Sequence, residues 1–353
     1  MAMNVVFAPD WREGNLYQSL LASALEDRGV KVSFLSGYSR GFPLFRGLSK
    51  SEATVIHLHW PEAYFPETSF LLHRLLREWR FPFDLGAACR HRALVATAHN
   101  LLPHWGLGRA TYRRNMAVTY RQADRVIAHS HAAAGALRNT FGVIAEAIRV
   151  IPHGDLSSAT DALPKRHDAR AALGISTEQR LVLMFGAVSR YKGIEDAIAY
   201  WRDGNISSRL VVAGKAESPE YADHLTALAE GDLRIQLHVD RFLDDLELNR
   251  WLAAADVCLF NYRGILTSGS AIQARALGIP ILFPAHLDLV DLGEPDSRVI
   301  RYSRFDHHFG KALDQALSTP PDHASAGRFR ESIRWEQIAS AHIQVYQEAL
   351  TPS

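Results

Sequence analysis

Short runs rich in β-branched residues alternate with longer amphipathic runs, and the alternation happens twice along the chain. Residues 4–8, 31–35, 54–59, 93–98 and 125–129 read as strands. Between them, residues 17–28 read as a helix with Leu20, Leu21, Ala24 and Leu25 on one face, ended at Gly29. This β-α-β rhythm implies a parallel sheet covered by helices on both faces. The rhythm pauses over 152–170, where Pro152, Gly154, Ser157, Ser158 and Pro164 sit among charges, and the stretch reads as an inter-domain linker. It restarts with strands over 181–185, 210–213, 235–239, 257–260, 280–283 and 298–301.

The simplest account is α/β: two doubly wound, Rossmann-like domains, 1–165 and 166–334, facing each other across a cleft. A last helix over 335–350, in the segment 335–353, puts Trp335, Ile338, Ala341, Val345 and Ala349 on one side and is expected to pack back toward the first domain. The 353 residues let each domain bury its own core.

Cys89 and Cys258 lie far apart in different halves, with no Cys/His cluster, which argues against a disulfide framework or structural zinc. The first residues run straight into a strand without a leader pattern, and no apolar run reaches about 18 residues. A cytoplasmic protein is expected, with room for peripheral attachment at the cytosolic membrane face.

Doubly wound sheets bind ligands beyond the carboxyl ends of their strands, so motifs just after strands carry the chemistry. The strand over 181–185 is followed by Gly186-Ala187-Val188-Ser189-Arg190-Tyr191-Lys192-Gly193 and a helix start. Arg190 offers a bidentate fork, Lys192 a point charge, and Gly186 a close backbone approach: an anion site in outline. The pattern is neither a P-loop nor a GxGxxG turn, and a solvated loop with surface charges fits it too. A second element, Thr267-Ser268-Gly269-Ser270, follows the strand over 257–260 and opens a helix over 271–277. Its hydroxyls suit capping, and free amides at such a helix start favour phosphate oxygens.

In the first half, Trp60-Pro61-Glu62, His99-Asn100-Leu101-Leu102-Pro103-His104 and Pro152-His153-Gly154-Asp155 each follow a strand. A carboxylate or imidazole there suits a general base on an acceptor hydroxyl, and the three clusters leave open which residue it is. Lone histidines are also common structural residues. Residues 70–125 hold ten arginines, no lysine and three acids, so this stretch is +7 and the remainder −6 of a net +1. Leu71, Leu72, Leu75, Leu76 and Trp79 share a helical face flanked by Arg74, Arg77 and Arg80. A membrane-surface helix facing anionic lipid and a core helix with a charged outer face both fit. No nucleic-acid-binding motif is evident.

In this order the clusters resemble a known group. Ser189–Gly193 after a Phe-Gly turn, and Thr267–Ser270 before Ala-Leu-Gly-Ile-Pro, resemble the donor domain of GT-B glycosyltransferases. His57-Leu58-His59-Trp60-Pro61-Glu62, the segment Thr97–His104, and His153-Gly154 resemble bacterial GDP-mannose:glycolipid 4-β-mannosyltransferases, from about Asn15 to Pro284. The resemblance implies a GT-B fold, an inverting transfer and no essential metal or other cofactor. It implies a nucleotide-sugar donor whose diphosphate meets Gly186, Arg190, Lys192, Thr267, Ser268, Gly269 and Ser270. It further implies a glycan acceptor on a polyprenyl diphosphate at the inner-membrane surface, in exopolysaccharide synthesis, with Asn15 and His153 on the acceptor side. Retaining GT-B enzymes carry two glutamates eight positions apart around the second element. Ile265 and Gln273 stand there here, which points to single displacement with a base on the acceptor side, Glu62 first and His99 and Asp155 in reserve. A nucleotide-sugar epimerase or hydrolase on the same fold, and a non-catalytic nucleotide-sugar-binding protein, remain the alternatives.

Overall fold

The structure is a computed structural model and describes residues 3–13, 15–37, 41–65, 71–101, 110–159, 163–204, 206–287, 292–293, 296–305 and 307–351. The chain divides into two compact units. One holds Met1–Gly154 and Ile333–Ser353, the other Asp155–Asp288 and Leu292–Ser332. Each is described by itself.

Among the described residues the first unit has six strands: β1 Asn4–Ala8, β2 Lys31–Phe34, β3 Val55–Leu58, β4 Ala93–Thr97, β5 Arg125–Ala128 and β6 Ile148–Val150. They form one parallel sheet in the order β2-β1-β3-β4-β5-β6. Every residue of β3 and β4 is buried, as a strand covered on both faces requires. The order reverses between β1 and β3, so the loops leaving those strands flank the opening where such sheets bind ligands. Helix starts are written in the sequence. Asn15 accepts from the Tyr17 amide to begin Leu16–Glu26, and Ser130 accepts from Ala133 to begin His131–Phe141.

The helix Trp335–Leu350 packs on this unit against Leu16–Glu26, β4 and β5. Its buried face differs from the apolar spacing. Ala339, His342 and Tyr346 are buried with Trp335, Ile338 and Val345, while Ala341 and Ala349 are only partly covered. The reason is polar pairing: Tyr346 Oη meets His57 Nδ1 at 2.7 Å in the core. Gly154 is the close approach that seats the helix, because a Cβ there would lie 2.3 Å from the Trp335 ring.

The second unit has β7 Leu181–Phe185, β8 Arg209–Ala213, β9 Ile235–His238, β10 Val257–Leu259, β11 Ile281–Pro284 and β12 Val299–Tyr302. Its parallel order is β12-β11-β10-β7-β8-β9, reversing between β7 and β10. One face is sealed by Ile194, Ile198 and Trp201 of one helix, Tyr221 and Leu225 of the next, and Phe309 and Leu313 of a third. Each such fully buried side chain contributes about 1.5–3 kcal/mol of transfer free energy.

The linker read over 152–170 is only partly irregular. Leu156–Ala159 forms a 3-10 turn and Arg166–Ala172 an α-helix. The cause lies some ninety residues downstream: Asp256 pairs with Arg166 at 2.7 Å and with Arg170 at 3.4 Å, and also accepts from the Leu181 amide at 2.7 Å. Local composition does not carry that information.

Candidate active site

In the second unit the chain leaves β7 through Gly186, whose φ of +87° favours glycine. A Cβ at Gly186 would lie 2.9 Å from Ser270 Oγ and 3.2 Å from Lys192 Nζ, so both polar tips converge over bare backbone. Lys192 is brought there by a 3-10 turn, Arg190–Lys192, closed by Gly193 at φ +59°. Asn261 locks that closure by donating Nδ2–H to the Gly193 carbonyl at 2.8 Å. The Lys192 ammonium donates to the Phe185 carbonyl at 2.9 Å. It is buried, and among the described residues no carboxylate pairs with it. Burial lowers its pKa to about 7.

The helix Gly269–Ala276 starts at the neighbouring strand end. Ser268 caps it, its Oγ accepting from Ala271 at 3.1 Å and sharing a 2.8 Å hydrogen bond with Tyr262 Oη. The first-turn amides of Gly269 and Ser270 have no intrahelical acceptor. An enclosed ammonium, a serine hydroxyl and a helix N-terminus thus surround Gly186: groups that bind phosphate oxygens. Thr267 is partly buried at the edge of this element, and Ile265 and Gln273 are buried.

Arg190 is held differently. Its Nε pairs with Glu217 at 3.1 Å, its guanidinium lies 4.6 Å above the Tyr221 ring, and the side chain is largely exposed. The two cations that the sequence puts side by side therefore have separate partners. A groove of about 730 Å³, which the sequence gives no hint of, opens at the ends of β10, β11 and β12, with Asp196, Tyr200, Tyr262, Arg263, His286 and Phe305 among its lining. Arg263 pairs there with Asp196 at 3.2 Å.

In the first unit the loops leaving β3 and β4 bring Glu62 and Asn100 together. The Asn100 side chain hydrogen-bonds the Glu62 carboxylate, and burial raises the Glu62 pKa to about 7. No cation offsets that burial among the described residues. A carboxyl poised near neutrality is suited to proton transfer.

The strand ends of the same sheet carry a wall of imidazoles. His59, His99, His129 and His153 each follow a strand directly or within three residues, and all are buried. His57 bridges Tyr346 and Thr97 at 2.7 Å each. His59 Nδ1 meets His99 Nε2 at 3.2 Å, so one of the pair must be an uncharged acceptor. His129 and His153 donate to the carbonyls of Ile151 and Gly154. Tyr17 packs edge-on against His59, His99 and His129. Burial holds every one of these imidazoles well below its ordinary pKa. Among the described residues no group of three or more His, Cys, Asp or Glu side chains is arranged to hold a metal.

Of the other residues picked from the sequence, Asp155 turns its carboxylate back onto Ser157, accepting from its amide at 2.8 Å and its hydroxyl at 2.6 Å. Asn15 caps a helix. His104 lies outside the described residues, as do the side chains of Arg74 and Arg77. His129, Tyr17 and Tyr346 were missed. A histidine closing each successive strand (HLHW, TAHN, IAHS, IPHG) is the signal that marks His129; nothing local marks the two tyrosines.

Residues 17–155 match the model of Glycosyltransferase Family 4. Along 360 aligned residues the chain is 25% identical to a GDP-mannose:glycolipid 4-beta-D-mannosyltransferase of Xanthomonas campestris pv. campestris, covering 95% of this chain and 89% of that protein. A sucrose-phosphate synthase from Thermosynechococcus elongatus superposes with a TM-score of 0.73 at 18% identity, covering 98% of each chain. The Anabaena protein HepE, solved with UDP-glucose, superposes with a TM-score of 0.68 at 15% identity, again over 98% of each chain. Two parallel six-stranded sheets with these likenesses are the GT-B fold, and the chain is a glycosyltransferase.

Proposed function

We propose that this GT-B glycosyltransferase moves mannose from GDP-mannose, with inversion, onto a hydroxyl of a lipid-linked glycan. Support for donor and acceptor comes from the relative named above, whose similarity runs along nearly all of both chains. One observation of geometry carries the reading: Lys192 is a buried ammonium with no carboxylate partner among the described residues, set beside the N-terminus of Gly269–Ala276 over a glycine. A buried unpaired cation is costly, and an incoming anion repays that cost.

In the proposed reaction the acceptor oxygen attacks the anomeric carbon. The bond from that carbon to the diphosphate breaks, and its electron pair leaves with the nucleoside diphosphate. Lys192, Ser270 and the amides of Gly269 and Ser270 meet the leaving charge, so no divalent ion is required. Arg190 joins them by exchanging Glu217 for a phosphate oxygen. The acceptor proton passes to Glu62, with His99 and Asp155 in reserve. Ile265 and Gln273, where retaining relatives have glutamates, support a single displacement.

The lipid end of the acceptor is proposed to be met at the membrane surface by the helix Leu71–Ala88. Its Glu78, Phe81, Leu85 and Ala88 are buried, whereas Leu76, Trp79 and Phe83 are 58%, 57% and 69% exposed. Arg114 lies 4.6 Å over the Trp79 ring. An apolar ridge with arginines suits an anionic headgroup layer. No helix among the described residues is long and apolar enough to cross a membrane.

The test is a thermal-shift panel of GDP-mannose, GDP-fucose, UDP-glucose and UDP-glucuronate in EDTA. GDP-mannose should raise the melting temperature most, and Lys192→Ala should abolish the rise. A larger rise with a uridine donor would reject the donor assignment.

A further inference from the structure

The first unit carries an aromatic stack whose two indoles have no part in the reaction described above. Trp11, in the loop leaving β1, stacks on Trp60 at 5.1 Å and 26°. Trp60 in turn stacks on His99 at 4.3 Å and 15°. Trp60 is 8% exposed, while Trp11, the outermost ring of the three, stays partly exposed.

The backbone that carries the outer ring is held in place, and the ring itself rests on Trp60. Gln18, fully buried, donates its amide to the Pro9 carbonyl at 2.8 Å and accepts from the Trp11 backbone N–H at 2.9 Å. A buried side chain thus clamps the loop on both sides of Asp10. Burying an amide for that purpose is costly unless both its hydrogen bonds are made, and here both are. The stack also stands at the strand-order reversal between β1 and β3. Glu62 follows Trp60 by two residues and Asn100 follows His99 by one, so the loops that carry the two inner rings also carry the Glu62–Asn100 pair.

We infer that Trp11 is a saccharide-stacking platform and binds the acceptor sugar whose hydroxyl is glycosylated. This rests on the transferase reading above. A flat indole with a fixed orientation offers a large apolar face, and the C–H face of a pyranose is its natural complement. Rigidity matters because a ring that is already ordered loses little entropy on binding. Stacking sets the plane of the sugar, and its hydroxyl edge then faces the carboxyl that takes the proton.

The test uses the full chain with methyl β-D-glucopyranoside, methyl α-D-mannopyranoside and methyl β-D-galactopyranoside as probes, by saturation-transfer NMR and tryptophan emission. GDP binding is followed in parallel by thermal shift. The wild type should bind at least one glycoside saturably. Trp11→Ala should lose that binding at least tenfold, and Trp11→Tyr should keep part of it. Both variants should leave the GDP shift unchanged, which shows that they fold. Equal glycoside binding by Trp11→Ala, or no saturable binding by the wild type, overturns the platform. Loss of glycoside binding in Trp11→Ala with no transfer by the wild type from any donor would keep the platform and reject the transferase reading.

Discussion

The Lys192 ammonium folds back along the chain to hydrogen-bond the carbonyl of Phe185, the last residue of β7, at 2.9 Å. A neutral carbonyl is a poor counterpart for a buried charge, and burial alone brings the pKa of this lysine to about 7. The proton on Lys192 is therefore loosely held until an anion arrives.

Nucleotide binding should then take up a proton. Below pH 7 Lys192 is already charged and adds no pH dependence of its own beyond that of the GDP terminal phosphate. Above pH 7 each unit should weaken binding by up to about tenfold, because one proton must be supplied. Calorimetric titration of GDP between pH 6 and 9 reads this directly. Lys192→Met should bind more weakly and lose the pH dependence above pH 7; the same slope in the variant would move the titrating group elsewhere.

Glu62 makes two separable predictions of opposite sign. Its pKa of about 7 lies above the ordinary 4.5, so the folded state holds the proton more tightly than the unfolded chain. Its cost to stability is absent below pH 4.5 and complete above pH 7, on the order of 3 kcal/mol at most. Glu62→Gln should therefore raise the melting temperature, and raise it more at pH 8 than at pH 5. The same variant should cut turnover by about a hundredfold or more while leaving the donor KM unchanged. Near-normal turnover would transfer the base to His99 or Asp155.

Acid should open the first unit. His57, His59, His99, His129, His153 and His342 are all buried and neutral, with His129 near 3 and His153 and His342 near 4. Their folded pKa values are depressed, so the unfolded chain takes up protons below pH 6.5 and the folded state does not. The contribution of these imidazoles to stability should be full above pH 7 and fall steeply between pH 6.5 and 4. Urea midpoints across that range should report uptake of several protons on unfolding. His342→Gln should remove about one. An unchanged slope would show that these imidazoles are not the source.

At the membrane surface, Trp79→Ser with Phe83→Ser should reduce pelleting with vesicles containing anionic phospholipid, and should leave GDP binding intact. Raised salt should weaken the wild type on the same vesicles. Equal pelleting by the double variant would make the exposed ridge irrelevant to lipid.

The sheets and the element around Lys192 and Ser268 are legible because their signals are local. A β-branched run makes a strand, Ser268 makes a cap, and Gly193 makes a left-handed closure, each within a few residues. What escapes is set by distant partners. Arg166–Ala172 is helical where the composition suggests a linker, because Asp256 gathers its arginines. The buried face of Trp335–Leu350 includes His342 and Tyr346, which a search for apolar spacing discards, because His57 waits for Tyr346. Arg190 reads as a twin of Lys192, yet Glu217, twenty-seven residues on, holds its backbone N–H and guanidinium. The Trp11–Trp60–His99 stack joins three loops and has no signature in any one of them.

The most direct test of inverting transfer is the anomeric configuration of the product. The enzyme is incubated in EDTA with GDP-α-D-mannose and synthetic polyprenyl-diphosphate oligosaccharides, and the new linkage is read by NMR. Single displacement assisted by Glu62 gives a β-linked mannose whose formation Glu62→Gln suppresses. An α-linked product would contradict the account, as would release of free mannose at a rate that does not depend on the acceptor.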